Sequence, residues 1–223
     1  MDVLTRLLVE QQSAFLTQDQ VDLTMVTWNV NGIQPPSVDV VSEVLLPERA
    51  SAVIAVGLQE LSAADAYYGG QEAESRLNVE RWTATLLFAI NYKYASGDTP
   101  GEYKVVGEVR MAAIGLLVFA RTTVDVKTVS MGQVPCGVMG VMANKGAVAC
   151  KLRIYETVIV IVCAHLAAHL EYWGRRNQDY IDICNRMSLP GAIPHEVDGN
   201  TQSAVKRWLS TTGDSIQDCH HLF

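Results

Sequence analysis

The sequence predicts an α/β fold in which two β-sheets pack against each other and helices lie outside them. Several strand-like segments follow one another directly, so the regular strand–helix alternation of a parallel sheet is missing. Neither a GxGxxG motif nor a GxxxxGKS or GxxxxGKT motif follows a strand-like segment, which argues against a doubly wound nucleotide-binding fold. The 223 residues are 49% hydrophobic and 18% charged, enough apolar material for one large domain or two small ones.

The first half of the chain contains two strand-like and two helix-like segments. "LTMVTWNV" is rich in β-branched and aromatic residues and ends at the turn-forming pair Asn31-Gly32. "SAVIAVGLQEL" is a continuous apolar run, which is typical of a strand covered on both faces. "VERWTATLLFAINYKYA" has apolar residues at helical spacing. "MDVLTRLLVEQQSAFL" predicts an amphipathic helix, so we expect a helix over residues 1–22 and a domain over 23–223.

The second half begins with four strand-like segments. "EYKVVGEVRM" and "AAIGLLVFAR" predict neighbouring strands, while "KGAVACKLRIY" and "TVIVIVCAHL" predict a hairpin that turns at Glu156. "YWGRRNQDYIDICNRM" predicts a helix with Tyr180, Ile183, Cys184 and Met187 on one face. "SLPGAIPHEVDGNTQS" is rich in Pro, Gly and Ser and is interpreted as a loop. The terminal "CHHLF" is interpreted as the start of a further strand rather than as a metal site.

Net charge and cysteine usage disfavour several classes of protein. The chain has 24 acidic and 17 basic residues, a net charge of −7, which argues against a non-specific nucleic-acid binder. No apolar run reaches the ~20 residues of a membrane span, and the N-terminal segment lacks the apolar core of a secretory signal. The five cysteines are scattered without a CxxC pair, which favours reduced thiols in the cytoplasm. Cys163 is interpreted as a buried structural thiol rather than a nucleophile.

Polar side chains lie at the ends of four predicted strands, where they can converge on one rim of the fold. They are Asn29 and Asn31, Gln59 and Glu60, Asn144 and Lys145, and His165 and His169. Glu60 offers the hard oxygen that Mg²⁺ prefers. Lys145, His165 and Arg176 would complement the charge of a phosphate. Structural roles stay open as alternatives: Glu60 could be a solvated residue that caps its strand, and Asn144, Lys145 and Gly146 could form a simple turn. A Zn²⁺ pair of His165 and His169 would need a helix.

Four segments together resemble the inositol polyphosphate 5-phosphatase family. They are "VTWNVNG", "VIAVGLQEL", "GVMANKGAVACKL" and "HLAAHLEYWGRRNQDYIDICNRM", in that order between Thr24 and Met187. The last segment is most similar to the type II group, which includes the enzyme deficient in oculocerebrorenal syndrome, and less similar to synaptojanins. The resemblance implies the two-sheet fold of the exonuclease–endonuclease–phosphatase superfamily. It also implies Mg²⁺-dependent hydrolysis of the 5-phosphate from inositol phosphates or phosphoinositide headgroups, with peripheral contact at a membrane surface.

The resemblance also implies roles for individual residues. Glu60 corresponds to the family's metal ligand, and Asn29 corresponds to the asparagine beside the metal. His165 corresponds to the histidine that orients and neutralises the scissile phosphate, so Asn29, Glu60 and His165 form the implied catalytic set. Residues of the "NKG" segment and of the following basic cluster correspond to the substrate contacts, which are Asn144, Lys145, His169, Arg176 and Asn177.

The sequence departs from the family pattern at several positions. Ala143 stands where the family usually has glycine before "NKG", which is tolerable if its φ is negative. The family's "GDLN" segment, whose aspartate is thought to activate the attacking water, and its closing "SDH" do not occur. We therefore expect an incomplete second sheet and no useful hydrolysis by this chain alone. A nuclease of the same superfamily and a non-catalytic phosphoinositide-binding fragment remain as alternatives.

Overall fold

The computed structural model describes residues 19–62, 72–95, 101–140, 142–190 and 221–222, together with Arg6 and Gln11. Most of the helix predicted over residues 1–22 lies outside these ranges, and residues 19–22 lead into the first strand without helical structure. In chain order the described elements are β1 (Leu23–Asn29), α1 (Val38–Leu45), β2 (Val53–Gln59), α2 (Glu72–Lys93), β3 (Tyr103–Met111), β4 (Ile114–Arg121), β5 (Val126–Pro135), β6 (Gly146–Ile154), β7 (Thr157–His165), α3 (Trp173–Arg186) and β8 (His221–Leu222). None of the helices in these ranges has the length and apolar character needed to cross a membrane.

The first sheet has the strand order β1-β2-β4-β3. β1 and β2 run parallel, and the other neighbours run antiparallel. Every residue of β2 is buried, because the strand is central in its sheet and both of its faces are covered. The prediction of a doubly covered strand is confirmed, as is the pairing of β3 with β4.

The second sheet has the order β5-β6-β7-β8. β6 and β7 form the predicted hairpin, with Tyr155 and Glu156 in the turn. His221 and Leu222 pair in parallel with β7, which agrees with the interpretation of the terminal segment as the start of a strand. β5 was not predicted, because polar residues interrupt its apolar positions. Residues 191–203 of the predicted loop lie outside the described ranges.

Apolar side chains form three packed layers between these elements. Val53 and Val148 belong to the layer between the two sheets. Trp82 and Phe119 belong to the layer between α1, α2 and the outer face of the first sheet. Ile183 of α3 packs on the outer face of the second sheet. The order helix, sheet, sheet, helix confirms the predicted fold class.

One residue of the predicted buried face of α3 is exposed. Ile183, Cys184 and Met187 are buried, whereas Tyr180 is 61% exposed. In this half of the helix the inward position belongs to Asp179, which is completely buried and accepts a hydrogen bond from the backbone of a neighbouring loop. The prediction for Tyr180 is therefore wrong, because the first half of α3 covers a polar loop and only the second half covers apolar core.

Candidate active site

The ends of β2 and β7 lie close together because a glycine allows the two sheets to approach. A Cβ added to Gly57 would lie 2.9 Å from Cys163 Sγ, so a larger residue would separate the strands. The Gln59 side chain bonds β2 to both β1 and β7, since its Nε2 donates to Thr27 Oγ1 of β1 at 3.0 Å and to Cys163 Sγ of β7 at 3.3 Å. Glu60 follows β2 directly and is therefore delivered to the end of β7.

Three side chains from separate segments meet at this point, and we call them the strand-end cluster: Glu60, Lys145 and His165. Glu60 Oε1 lies 3.7 Å from His165 Nε2, and Lys145 Nζ lies 2.6 Å from the same nitrogen. Lys145 reaches the site because the next residue, Gly146, is paired with His165 in the β6–β7 ladder. A carboxylate, an ammonium group and an imidazole thus share one location.

Burial sets the protonation of the two basic groups. It lowers the pKa of His165, the neighbouring Lys145 ammonium lowers it further, and the Glu60 carboxylate acts in the opposite direction. Burial also lowers the pKa of Lys145, opposed by Glu60 and Asp179. These effects favour a charged Lys145 ammonium that donates a hydrogen bond to Nε2 of a neutral His165 imidazole. Nδ1 then carries the ring proton, and this buried atom has no hydrogen-bond partner among the described residues.

The backbone around Glu60 is held by the parallel end of β1. Val30 N donates to Gln59 O at 2.9 Å, and Gly32 N donates to Glu60 O at 2.6 Å. Glu60 has a φ of 55°, a left-handed conformation that non-glycine residues adopt rarely and that is enriched at functional sites. Asn29, which is paired with Gln59, accepts a hydrogen bond from Asn31 N at 3.0 Å through its Oδ1. Asn29 and Glu60 therefore lie at the same strand edge.

The oxygen donors at this edge fit a hard divalent cation. The Glu60 side chain is 40% exposed, and Asn29 Oδ1 keeps a second lone pair beyond its bond to Asn31. Mg²⁺ is commonly held by one or two carboxylates, with waters and substrate oxygens completing its shell. In the described ranges no group of three or more His, Cys, Asp or Glu side chains is arranged to hold a metal by itself. The donor set therefore suits a cation that shares its ligands with a bound phosphate.

A tight loop before β6 carries Asn144 and Lys145. Cys136 N donates to Lys145 O at 2.7 Å, and Gly137 N donates to Met142 O at 2.8 Å. A Cβ added to Gly137 would lie 2.0 Å from Asn144 Oδ1, so this position requires glycine. Ala143 is absent from the described residues with positive φ, so the expectation that alanine is tolerated there is confirmed.

The three predicted substrate contacts beyond β7 occupy different surroundings. Arg176 donates to the carbonyl oxygens of Ala167 at 3.2 Å, His169 at 2.5 Å and Leu170 at 3.2 Å. His169 is exposed and packs its ring edge-on to Tyr172 at 6.0 Å between centroids. Asn177 is exposed on α3. The structure gives the Arg176 guanidinium backbone partners, and a phosphate contact by any of these residues stays a prediction.

Sequence reasoning missed two residues that border the site, Arg175 and Asp179. Asp179 is buried on α3, and its Oδ1 lies 2.8 Å from Arg175 Nε. The sequence contained a usable signal, because an arginine and an aspartate four residues apart lie on the same side of a helix. By itself the spacing is a weak signal, because most such pairs lie on solvated faces.

Comparisons with known proteins identify the family of the chain. A family model described as endonuclease/exonuclease/phosphatase family 2 matches residues 26–223. The chain is 32% identical over 177 residues to the type II inositol 1,4,5-trisphosphate 5-phosphatase of Mus musculus, covering 76% of this chain and 16% of that protein. It is 27% identical over 182 residues to the type II inositol polyphosphate 5-phosphatase 14 of Arabidopsis thaliana, covering 81% of this chain and 16% of that protein. Synaptojanin-2 of Rattus norvegicus is 26% identical over 203 residues, covering 82% of this chain and 13% of that protein.

A solved structure supports the fold. The inositol polyphosphate 5-phosphatase domain of a synaptojanin, crystallised with inositol (1,4)-bisphosphate and a calcium ion, matches with a TM-score of 0.65 at 20% identity. The match covers 83% of this chain and 52% of that chain. Together these findings confirm the resemblance that the sequence motifs indicated. The chain spans 16% of the length of the first two curated relatives described above.

Proposed function

The chain belongs to the endonuclease/exonuclease/phosphatase family, and we propose that it serves the Mg²⁺-dependent removal of the 5-phosphate from inositol polyphosphates or phosphoinositides. The observation that carries the proposal is the strand-end cluster. Its Lys145 Nζ and His165 Nε2 are 2.6 Å apart, and Glu60 Oε1 is 3.7 Å from the same imidazole nitrogen. Two adjacent cationic or donor groups beside a carboxylate suit a phosphate that shares a cation with the protein.

Each residue of the site has a proposed role. Glu60 and Asn29 hold Mg²⁺, which would neutralise charge on the phosphate oxygens. Lys145 and Asn144 bind the substrate phosphates, and His165 donates to the scissile phosphate once its Nε2 is protonated. Fixed donors in a partly desolvated site stabilise developing charge without reorganising, which is usually the largest contribution in such reactions.

The remaining substrate contacts follow the family pattern. His169, Arg176 and Asn177 are proposed to line the outer part of the inositol phosphate site. Arg176 would do so while its guanidinium also holds the backbone of the loop that carries His169. A guanidinium has five N–H donors, so its carbonyl bonds leave capacity for an anion.

The relatives support an inositol phosphate as the substrate class. The Mus musculus relative is named as acting on inositol 1,4,5-trisphosphate, and the synaptojanin domain was crystallised with inositol (1,4)-bisphosphate. We further propose Mg²⁺ as the working ion, peripheral contact with a phosphoinositide-bearing membrane and a cytoplasmic location. We also propose that residues 23–223 are part of a catalytic domain and that the helix expected before it ends ahead of residue 19.

Calorimetric titration of the 223-residue chain tests the proposal. We expect inositol 1,4,5-trisphosphate to bind more tightly than inositol 1,4-bisphosphate, and Mg²⁺ to strengthen the difference, because the 5-phosphate meets the strand-end cluster. Equal affinities that do not respond to Mg²⁺ would contradict the proposal. Phosphate release is measured in parallel. Because no useful hydrolysis is expected of this chain alone, binding without release fits both the proposal and the non-catalytic alternative, whereas cleavage of a duplex with an abasic site would favour the nuclease.

A further inference from the structure

A buried carboxylate on α3 bonds to the loop that follows His165. Asp179 is completely buried. Its Oδ2 accepts a hydrogen bond from Ala167 N at 3.0 Å, and its Oδ1 accepts one from Arg175 Nε at 2.8 Å. Both oxygens are therefore engaged, which is required of a charge placed away from water. One of these bonds fixes a backbone amide two residues beyond His165.

Arg175 carries the same network to the loop that precedes β6. Its Nη2 donates to Cys136 O, and Cys136 N in turn donates to Lys145 O at 2.7 Å. The path from Ala167 through Asp179 and Arg175 to Cys136 thus joins the segment beside His165 to the segment beside Lys145. These two segments supply the groups that meet at 2.6 Å in the strand-end cluster.

The other arginines of α3 bond to only one of the two loops among the described contacts. Arg176 donates to carbonyls after β7, at Ala167, His169 and Leu170. Arg186 donates to Pro135 O at 3.0 Å and to Gly140 O at 3.2 Å, both on the β6 side. Of these three arginines, only Arg175 belongs to a side-chain network that reaches both loops, and this network adds to the backbone pairing of Gly146 with His165.

Stability alone is a poor explanation for this pair. Asp179 is buried whereas the Arg175 side chain is 42% exposed, and the desolvation cost of the buried carboxylate offsets much of its attraction to the arginine. α3 is anchored on the second sheet by Ile183, Cys184 and Met187, which do not depend on the pair. The hydrogen bonds do provide a defined distance between two loops.

We propose that Arg175 and Asp179 are positioning residues that hold Lys145 and His165 at the spacing a substrate phosphate requires. The identity of the ligand in this inference rests on the proposed function. The hydrogen-bonded connection between the two loops is independent of it.

Hydrogen exchange measured by mass spectrometry tests the connection without any ligand. In Asp179→Asn and Arg175→Ala, amide exchange over residues 136–145 and 165–170 should rise about tenfold or more, the loss expected for a hydrogen bond to a charged group. Arg175→Lys keeps a cation beside Asp179 but lacks the fork that also reaches Cys136, so the increase should be confined to 136–145. Arg76→Ala is the matched control, because Arg76 pairs with Glu80 at the same spacing on an exposed surface. An increase spread evenly over both sheets, or no increase in either loop, would overturn the inference.

A double-mutant cycle tests the link to binding. Arg175→Ala should lower the affinity for inositol 1,4,5-trisphosphate about tenfold in the wild-type background and have little effect in Lys145→Ala, because it acts through Lys145. Equal losses in both backgrounds would overturn the positioning role. If the wild-type chain fails to bind the trisphosphate, the proposed function is wrong, and the exchange data still decide whether the pair connects the loops. If Asp179→Asn does not fold, Arg175→Lys decides the question.

Discussion

Replacing Lys145 by methionine should separate a binding role from a structural one. Methionine keeps most of the side-chain length and removes the ammonium group. The Lys145 Nζ lies 2.6 Å from His165 Nε2 and the residue is half-buried, so the group is held rather than freely moving. A charge-assisted hydrogen bond to a phosphate contributes about 1.5–3 kcal/mol. We therefore expect the affinity for inositol 1,4,5-trisphosphate to fall about 10- to 150-fold.

The same change should have a small effect on stability because two contributions oppose each other. The lowered pKa of Lys145 shows that burial penalises its charged form, so removing the charge relieves a cost. Against this, His165 Nε2 loses its donor, and an unsatisfied buried acceptor costs about 1–3 kcal/mol. Glu60, 3.7 Å away, can compensate part of that loss by pairing with a protonated imidazole. We expect a net change within about 1 kcal/mol, or a shift in Tm of at most about 4 °C.

Calorimetry and thermal unfolding of the same preparations measure the two quantities. Lys104→Met serves as the control, because Lys104 is an exposed lysine on β3 and should show neither effect. A large fall in Tm combined with wild-type affinity would refute the reasoning, since it would make Lys145 a folding residue. Wild-type affinity with wild-type Tm would equally exclude a phosphate contact.

Three further predictions concern Glu60 as a proposed metal ligand, the Cys163 thiol, and the stability of the chain at alkaline pH. Glu60→Gln should remove the Mg²⁺ dependence of trisphosphate binding, and binding that still responds fully to limiting Mg²⁺ would exclude Glu60 as a ligand. Burial raises the pKa of Cys163 to about 11, so peptide mapping should find it alkylated only after unfolding, and rapid labelling of the native chain would contradict this. Burial, followed by Tyr103 and Glu48, raises the pKa of Tyr94 from 10.0 to about 12. Between pH 10 and about 12 the Tyr94 phenol loses its proton in the unfolded chain before it does so in the folded chain, so the free energy of unfolding should fall as pH rises. If the urea midpoint of Tyr94→Phe depends on pH as strongly as that of the wild type, this residue is excluded as the cause.

Much of the fold could be predicted from sequence patterns that lie within a single strand or a single hairpin. The apolar run of β2 predicted a doubly covered strand because a strand with one solvated face would alternate apolar and polar residues. β5 escaped prediction because it is an edge strand among the described residues, and its partly exposed positions carry polar side chains. The exposed Tyr180 escaped for a different reason. Helical spacing identifies which side chains share one face of α3, but it does not show that the first half of this face packs on a polar loop and the second half on the apolar core.

The site was predictable as a set of strand ends but not as a network. Glu60, Lys145 and His165 were expected to converge because each lies at a strand boundary, and the structure brings these three side chains together. The position of Arg176 on backbone carbonyls was not predictable, because the loop after β7 has no regular pattern that would reveal its unpaired oxygens. Asp179 was missed because its burial depends on that same loop.

The location of the charges explains how an acidic chain can present a site for an anion. With a net charge of −7, the chain as a whole should repel a polyphosphate, so the attraction has to be local. Partial burial provides this, because electrostatic interactions are screened less there than at the surface. It also weakens the charged forms of Lys145 and His165, whose pKa values are both lowered. An anionic phosphate bound there would favour the charged forms, because an opposite charge nearby stabilises them, so the neutral His165 imidazole is the group expected to take up a proton.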